Sequence, residues 1–301
     1  MTATVAAFVL TAGLVADATG GRLAAGSPDR AFAAVTTDSR ASVADALFIA
    51  LRGPRFDGHQ FVADVLARGA AGALVGSDRG LTPGLGSDPG LTPPFAVIVV
   101  PDTLVALQQL GRAVRERAGA RVVAITGSAG KTTTKEATAD FLSARYRVYR
   151  NAGNLNNHIG LPLSLLELRQ GADIGVFELG MNHAGEIRTL VRLARPDVRV
   201  WTNVGDAHIG HFGSEDAIAD AKGEILEEAV PSTIVVANAD DRRVMTRVAT
   251  VRGRLVTFGE APSADVRAVD VIERGFDGTA CSVQTRAGQF SLQVEIGRAH
   301  V

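Results

Sequence analysis

The sequence predicts an α/β chain. A small mixed α/β unit comes first, and a mostly parallel sheet covered by helices follows. Three observations carry this expectation. From Arg121 onward short apolar runs alternate with helical patterns, and such alternation implies right-handed crossovers between parallel strands. Before that point the apolar runs are short and irregularly spaced, with glycine turns between them. The chain has 301 residues, 46% of them hydrophobic and 21% charged, which suits about two globular domains.

In the first unit, Val5 to Ala18 reads as a helix ended by Gly20-Gly21. Ala46 to Leu51, Gly72 to Val75 and Ala96 to Val100 read as strands, and Phe61 to Arg68 as a helix. A turn-rich loop duplicates Gly-Leu-Thr-Pro at 80–83 and 90–93. Asp102 to Ala118 carries Leu104, Leu107, Leu110 and Val114 on one helical stripe. The boundary is set before it, giving an N-terminal domain 1–101 and a central domain 102–301. Central strands are expected at 121–126, 147–150, 174–179, 198–204, 233–237 and 255–258. Helices are expected at 131–144, 161–168, 183–194, 214–229 and 241–251.

Charge and cysteine content exclude several classes. Thirty-one Lys+Arg stand against 32 Asp+Glu, a formal net charge of -1, so no electrostatic case exists for nucleic acid or an anionic membrane. The one cysteine, Cys281, leaves no internal disulfide framework. Val5 to Val15 is apolar, yet the first basic residue is Arg22, so no secretory signal is expected. A cytoplasmic monomer is the expectation.

In open parallel sheets ligands gather at the carboxyl ends of the strands. After the first central strand comes Gly127-Ser128-Ala129-Gly130-Lys131-Thr132-Thr133. Small residues let backbone N–H groups approach phosphates, and the following helix directs its positive end at them. Lys131 can reach the terminal phosphates and Thr132 can hold Mg²⁺. The full phosphate-loop pattern asks for glycine at 125, where this chain has Ile125. The central domain is thus expected to be P-loop ATPase-like. The third strand ends in Glu178, either a metal carboxylate opposite that loop or a solvated strand end. His208 follows the fourth strand, as a ligand or as a solvated loop histidine. Lys222 edges a buried helical stripe, either snorkelling to solvent or directed at the site. Asn238 and Asp240 end the fifth strand, where they read a ribose or base, form an Asx turn, or do both. The second strand leads into Asn151-Ala152-Gly153-Asn154-Leu155-Asn156-Asn157, which is rich in amide donors and acceptors.

Together these residues resemble the Mur ligase superfamily of ATP-dependent amide-forming enzymes. Within it they are most similar to the MurF family, the UDP-N-acetylmuramoyl-tripeptide–D-alanyl-D-alanine ligases. Gly127 to Glu136 resembles the superfamily phosphate loop, which also lacks the glycine missing at 125. Thr37-Asp38-Ser39-Arg40 and 48–59 resemble the family's UDP-substrate domain. Residues 153–163, 178–182 and 222–225 resemble its central-domain signatures.

The resemblance implies ATP and Mg²⁺ as cofactors. Gly127, Ser128, Ala129, Gly130, Lys131, Thr132 and Thr133 hold the phosphates, and the strand-end reading of Asn238 and Asp240 adds them on the nucleoside side. Thr132 and Glu178 hold one Mg²⁺. Glu178, His208 and a carbamylated Lys222 hold a second. Ser39, Arg40, Arg52, Asn154, Asn156 and Asn157 contact substrate. The implied reaction phosphorylates the terminal carboxylate of a UDP-N-acetylmuramoyl-tripeptide, and the amine of D-alanyl-D-alanine then displaces phosphate. Family members carry a third, C-terminal domain. The chain ends at Val301 inside a segment resembling the start of a central-domain helix, so a fragment inactive on its own is expected. The rival readings are a Mur-type ligase for another amino acid or a folate, a nucleotide-binding module without turnover, and a phosphotransferase.

Overall fold

The computed structural model describes residues 5–77, 93–207, 209–275 and 278–294. The first elements in chain order are β1 (Leu10–Thr11), α1 (Ala12–Thr19), β2 (Arg22–Ala25), β3 (Ala31–Phe32), β4 (Ala34–Thr36), β5 (Ala46–Ile49), β6 (Arg52–Gly53), β7 (Phe56–Asp57), α2 (Val62–Ala67), β8 (Gly72–Gly76), β9 (Ala96–Val100) and α3 (Thr103–Ala118). Then follow β10 (Arg121–Thr126), α4 (Lys131–Ser143), β11 (Val148–Arg150), α5 (Gly160–Leu166), β12 (Ile174–Glu178), α6 (Glu186–Ala194), β13 (Val198–Trp201), α7 (Ile209–Phe212) and α8 (Glu215–Gly223). The last are β14 (Ile234–Asn238), α9 (Arg242–Val248), β15 (Arg254–Gly259), β16 (Val266–Glu273), β17 (Thr279–Thr285) and β18 (Gly288–Val294).

The chain forms two compact units. One comprises 1–120 and 152–173, the other 121–151 and 174–301. The expected break before Asp102 does not coincide with this division. The α3 stripe explains why: Leu107, Leu110 and Val114 are fully buried in one cluster with Leu10, Leu47, Leu74, Ile98 and Leu166 of the first unit. Asp102 starts α3 by accepting from the N–H groups of Leu104 and Val105, and Gly119 ends it in the left-handed region at φ 66°. Against α3 packs α5, so the chain returns to the first unit for residues 152–173.

The first unit holds a five-stranded sheet in the order β2-β9-β8-β5-β4, in which only β2 runs antiparallel to its neighbour. The helix expected over 5–18 begins at Ala12, because Thr11 caps it by accepting from Leu14 N–H. The repeated Gly-Leu-Thr-Pro loop lies outside the described residues, apart from Pro93.

The second unit holds a sheet of nine described strands, β11-β12-β10-β13-β14-β15-β16-β17-β18. From β11 to β16 every pairing is parallel, as the strand–helix alternation predicts. The order reverses at β10, so the crevice for a ligand opens beyond its carboxyl end. The alternation read from the sequence stops at Phe258. The structure adds β16, which pairs parallel with β15 and antiparallel with β17, and then β17 and β18, which pair antiparallel. Most of their residues are exposed or half-buried, so no continuous apolar run marks them. Apolar residues of β10, β12 and β13 meet α4 in a cluster of Val123, Ile125, Ala139, Ile174, Val176 and Val200. No helix among the described residues is long and apolar enough to cross a membrane.

The packing of α3 on α5 gives a stability test. A Cβ at Gly111 would lie 2.9 Å from Pro162 Cα and 3.0 Å from its carbonyl oxygen. Backbone cannot yield as a flexible side chain can. Gly111→Val should therefore cost about 1–3 kcal/mol by overpacking, although helix propensity alone favours any side chain there. Urea unfolding of the variant beside the parent checks it.

Candidate functional site

The crevice beyond β10 is built from three strand ends. In register, Ile125 of β10 pairs with Glu178 of β12, and Thr126 pairs with Trp201 of β13. The chain leaves β10 through Gly127, where a Cβ would lie 1.8 Å from Thr202 Oγ1. No other residue fits without moving Thr202. Gly130 takes φ 74° and opens α4. The first-turn N–H groups of a helix have no acceptor within it, and its dipole adds positive potential there.

The loop is braced by the segment after β13. Asn203 Oδ1 accepts from Ala129 N–H at 2.9 Å, and Asn203 O accepts from Ser128 N–H at 3.1 Å. Thr202 Oγ1 donates to Ala129 O at 2.8 Å. Ser128 Oγ accepts from Gly205 N–H at 2.9 Å and lies 3.1 Å from Gly205 O. The N–H groups of Ser128 and Ala129 are therefore committed inside the protein, and the start of α4 is what the loop offers an anion. The sequence reading left these braces out. Their signal was a Thr-Asn pair at a strand end beside a glycine loop.

Thr132 and Glu178, paired in expectation as metal ligands, do meet. Thr132 Oγ1 donates to Glu178 Oε2 at 2.7 Å, and Glu178 is buried. Lys131 Nζ folds back to donate to Gly127 O at 2.9 Å and Ser128 O at 3.3 Å. Burial pushes the Lys131 amine down, and the Glu178 charge opposes that. Lys222 does not snorkel. It is 1% exposed, and its Nζ donates to the same Gly127 carbonyl at 2.9 Å. Burial and then the Lys131 charge lower its pKa to about 7. His208 lies outside the described residues.

The segment bearing Lys222 is held from both sides. Glu224, buried, accepts from Gly185 N–H at 2.7 Å and Arg188 N–H at 3.0 Å, which caps α6 from another element. Arg188 pairs with both oxygens of Glu227, at 2.6 and 2.7 Å, and holds that carboxyl below its ordinary range. Arg247 pairs with Asp220 of α8 at 2.6 Å.

At the end of β14, Asn238 Nδ2 donates to Thr202 O at 2.9 Å and its Oδ1 accepts from Asp240 N–H at 2.9 Å, the Asx turn among the expected readings. Asp240 accepts from the N–H groups of Glu260 and Ala261, each at 2.8 Å. Both side chains thus have structural work of their own.

The expected substrate residues fall in the first unit. Arg40, 88% exposed, forms a two-pronged pair with Asp38 at 2.9 Å and holds that carboxyl at about 2. Ser39 O accepts from Arg68. Arg52 opens the β6–β7 hairpin. His59 anchors that hairpin's end: Gly76 N–H donates to Nε2 at 2.8 Å, so the ring proton sits on Nδ1, which donates to Asp57 at 2.6 Å. Asn157 Oδ1 accepts from the N–H groups of Ile159 and Gly160, setting the start of α5. Asn154 O accepts from Asn156 N–H in the turn before it.

The chain is similar to known proteins. Residues 125–300 match the Mur ligase middle domain, and residues 31–115 match the Mur ligase family, catalytic domain. The chain belongs to the Mur ligase family. A curated relative of that family from Bacillus subtilis, UDP-N-acetylmuramoyl-tripeptide–D-alanyl-D-alanine ligase, is 38% identical over 267 residues, 89% of this chain and 55% of the relative. The crystal structure of MurF from Acinetobacter baumannii superposes with a TM-score of 0.84 at 34% identity, over 97% of this chain and 62% of that one. MurF ligase from Thermotoga maritima in complex with ADP gives 0.73 at 30% identity, over 86% and 57%. This chain spans about half the length of the curated relatives it matches.

The Lys222 shift predicts a pH dependence of stability. The amine titrates near 7 folded and near 10.5 unfolded. Below pH 7 both states are protonated and the burial penalty is complete. Between the two values the unfolded chain binds the extra proton, so stability rises with pH. In metal-free, CO₂-free buffer Lys222→Met should therefore be more stable than the parent at about pH 6. That advantage should shrink at about pH 9. Denaturant melts of both proteins at the two pH values check it.

Proposed function

We propose that the chain carries the ATP site and the UDP-substrate domain of a MurF-type ligase, which joins D-alanyl-D-alanine to UDP-N-acetylmuramoyl-tripeptide in cytoplasmic peptidoglycan precursor synthesis. The observation that carries the reading is the Thr132–Glu178 hydrogen bond beside a phosphate loop whose Gly127 carbonyl collects both Lys131 and Lys222. The likeness to MurF sequences and structures supports it.

The donor set fits Mg²⁺. A hydroxyl and a buried carboxylate already in contact are hard oxygen ligands of the kind this ion takes. Mg²⁺ bound there supplies charge neutralisation for the triphosphate and for the phosphoryl group in transfer. Lys222 fits only after modification, because an ammonium repels a cation. Its lowered pKa makes that modification accessible. At pH 7 roughly half of the amine is neutral, against fewer than about one in a thousand for an ordinary lysine. The neutral amine takes up CO₂, forming an N–C bond and releasing one proton, and the product is an anionic oxygen ligand.

The protein's own groups then have distinct tasks. Lys131 exchanges its two backbone acceptors for phosphate oxygens and follows the charge of the transferred group. Asn203 and Thr202 keep the loop's shape while that happens. The reaction transfers the terminal phosphoryl group to the tripeptide carboxylate. The dipeptide amine attacks the acyl carbon, losing its proton as phosphate departs. The ribose and base contacts expected of Asn238 and Asp240 belong to this proposal, as do those expected of Ser39, Arg40, Arg52, Asn154, Asn156 and Asn157 toward the UDP-tripeptide.

In the full-length gene product, ADP should form only when the UDP-tripeptide is present, and the pentapeptide mass should appear only when D-alanyl-D-alanine is added. Lys131→Ala should lower turnover by about 10²–10³-fold, the scale for losing one donor to developing charge. ADP formation indifferent to the tripeptide would contradict the reading. ¹³C-bicarbonate should label the parent protein with a carbamate resonance that Lys222→Ala lacks.

A further inference from the structure

α4 carries a buried lysine one turn beyond the half-buried Lys131. Lys135 is 1% exposed. A buried ammonium is retained only where it is paired and hydrogen-bonded. Its Nζ donates to Asn151 O at 2.8 Å and pairs with Glu136 Oε1 at 2.8 Å. Glu136 in turn pairs with Arg150, the residue before Asn151, at 2.9 Å. The lysine therefore fixes the backbone where β11 ends.

Asn151 passes that constraint on. It is fully buried, and its Oδ1 accepts from Glu178 N–H at 3.0 Å. The β11–β12 ladder stops at the pairing of Arg150 with Val176. Beyond that point a side-chain amide stands where the next strand residue's backbone would. Glu178 then reaches back to α4, where its Oε2 accepts from Thr132 Oγ1, three residues before Lys135. The four residues close a ring: Thr132 to Glu178, Glu178 to Asn151, Asn151 to Lys135, and Lys135 to Thr132 along the helix.

We infer that Lys135 and Asn151 are positioning residues that hold the Glu178 carboxylate in the direction required for a divalent cation on the nucleotide. The inference rests on the nucleotide reading given above. A carboxylate ligand whose backbone is tied at the strand end and whose oxygen is tied to the phosphate-loop helix has little freedom left. Such outer partners orient metal ligands, and losing one typically lowers metal affinity by about 10–100-fold. A role in core stability alone would weaken binding of nucleotide equally with and without metal, or not at all.

The experiment titrates ADP into the 301-residue chain by calorimetry, in Mg²⁺ and in EDTA. Parent, Lys135→Met and Asn151→Ala are compared, with thermal unfolding alongside. Asn151→Ala leaves the Lys135 amine its carbonyl acceptor, so it breaks the link to Glu178 without uncovering a buried charge. The expected result is an unchanged affinity in EDTA and a Mg²⁺-dependent gain reduced by about 10–100-fold in each variant. The double variant should lose no more than about the larger single loss, because both act through one link. A full Mg²⁺-dependent gain in Asn151→Ala would overturn the inference alone. A parent chain without any Mg²⁺-dependent gain would instead remove the nucleotide reading beneath it.

Discussion

The carbonyl oxygen of Gly127 accepts from two lysine amines that come from different elements, Lys131 of α4 and Lys222 of α8. The crevice beyond the ends of β10, β12 and β13 is organised around that point. Burial first, and then the charge of Lys131 on the same acceptor, lower the Lys222 amine to about 7. The repulsion is tolerated because the loop cannot move aside. Gly127 lies against Thr202, and Ser128 and Ala129 are tied to Asn203 and Gly205. Under the proposed function, an anion arriving at the start of α4 would relieve the conflict by taking Lys131, and a carbamate on Lys222 would relieve it from the other side.

Such a convergence of two amines needs a rigid frame. It has one on both flanks. On one flank α8 is pinned by Arg247 to Asp220 and the turn after it by Glu224 and Glu227 to α6. On the other, the ring through Thr132, Glu178, Asn151 and Lys135 ties α4 to two strand ends. The three strand ends meet where the order of the parallel sheet reverses, the position at which an open α/β sheet leaves a crevice. Topology provides the opening, and local hydrogen bonds shape it.

Much of this was legible in the sequence. The parallel core was readable because strands buried on both faces form continuous apolar runs, as at 174–177 and 122–125. The glycine loop leading into α4 was readable because glycine and lysine spacing has a local mechanism. The pairing of Thr132 with Glu178 was implied by the family resemblance, since the strand-end rule alone left Glu178 as either a metal carboxylate or a solvated strand end. What stayed hidden depends on long-range geometry. No local pattern says that Asn151 substitutes for a ladder bond to Glu178, or that Glu224 caps a helix whose N–H groups lie 36–39 residues earlier. The direction of Lys222 was ambiguous for the same reason, since its place at the edge of a buried stripe suits both solvent and site. The strands β16 to β18 escaped because half-exposed antiparallel strands carry no apolar run, and α3 was assigned across the boundary because its stripe does not reveal which sheet it covers.

The account turns on the shape of the loop at Gly127, and one pair of titrations tests it most directly. Mg²⁺-ADP is titrated into the parent chain and into Gly127→Ala, whose new Cβ must displace Thr202 Oγ1. Circular dichroism confirms that both proteins are folded. The account predicts binding by the parent and its loss in the variant, with the fold retained. Equal affinity in the two folded proteins, or a parent chain that does not bind the nucleotide, would contradict it.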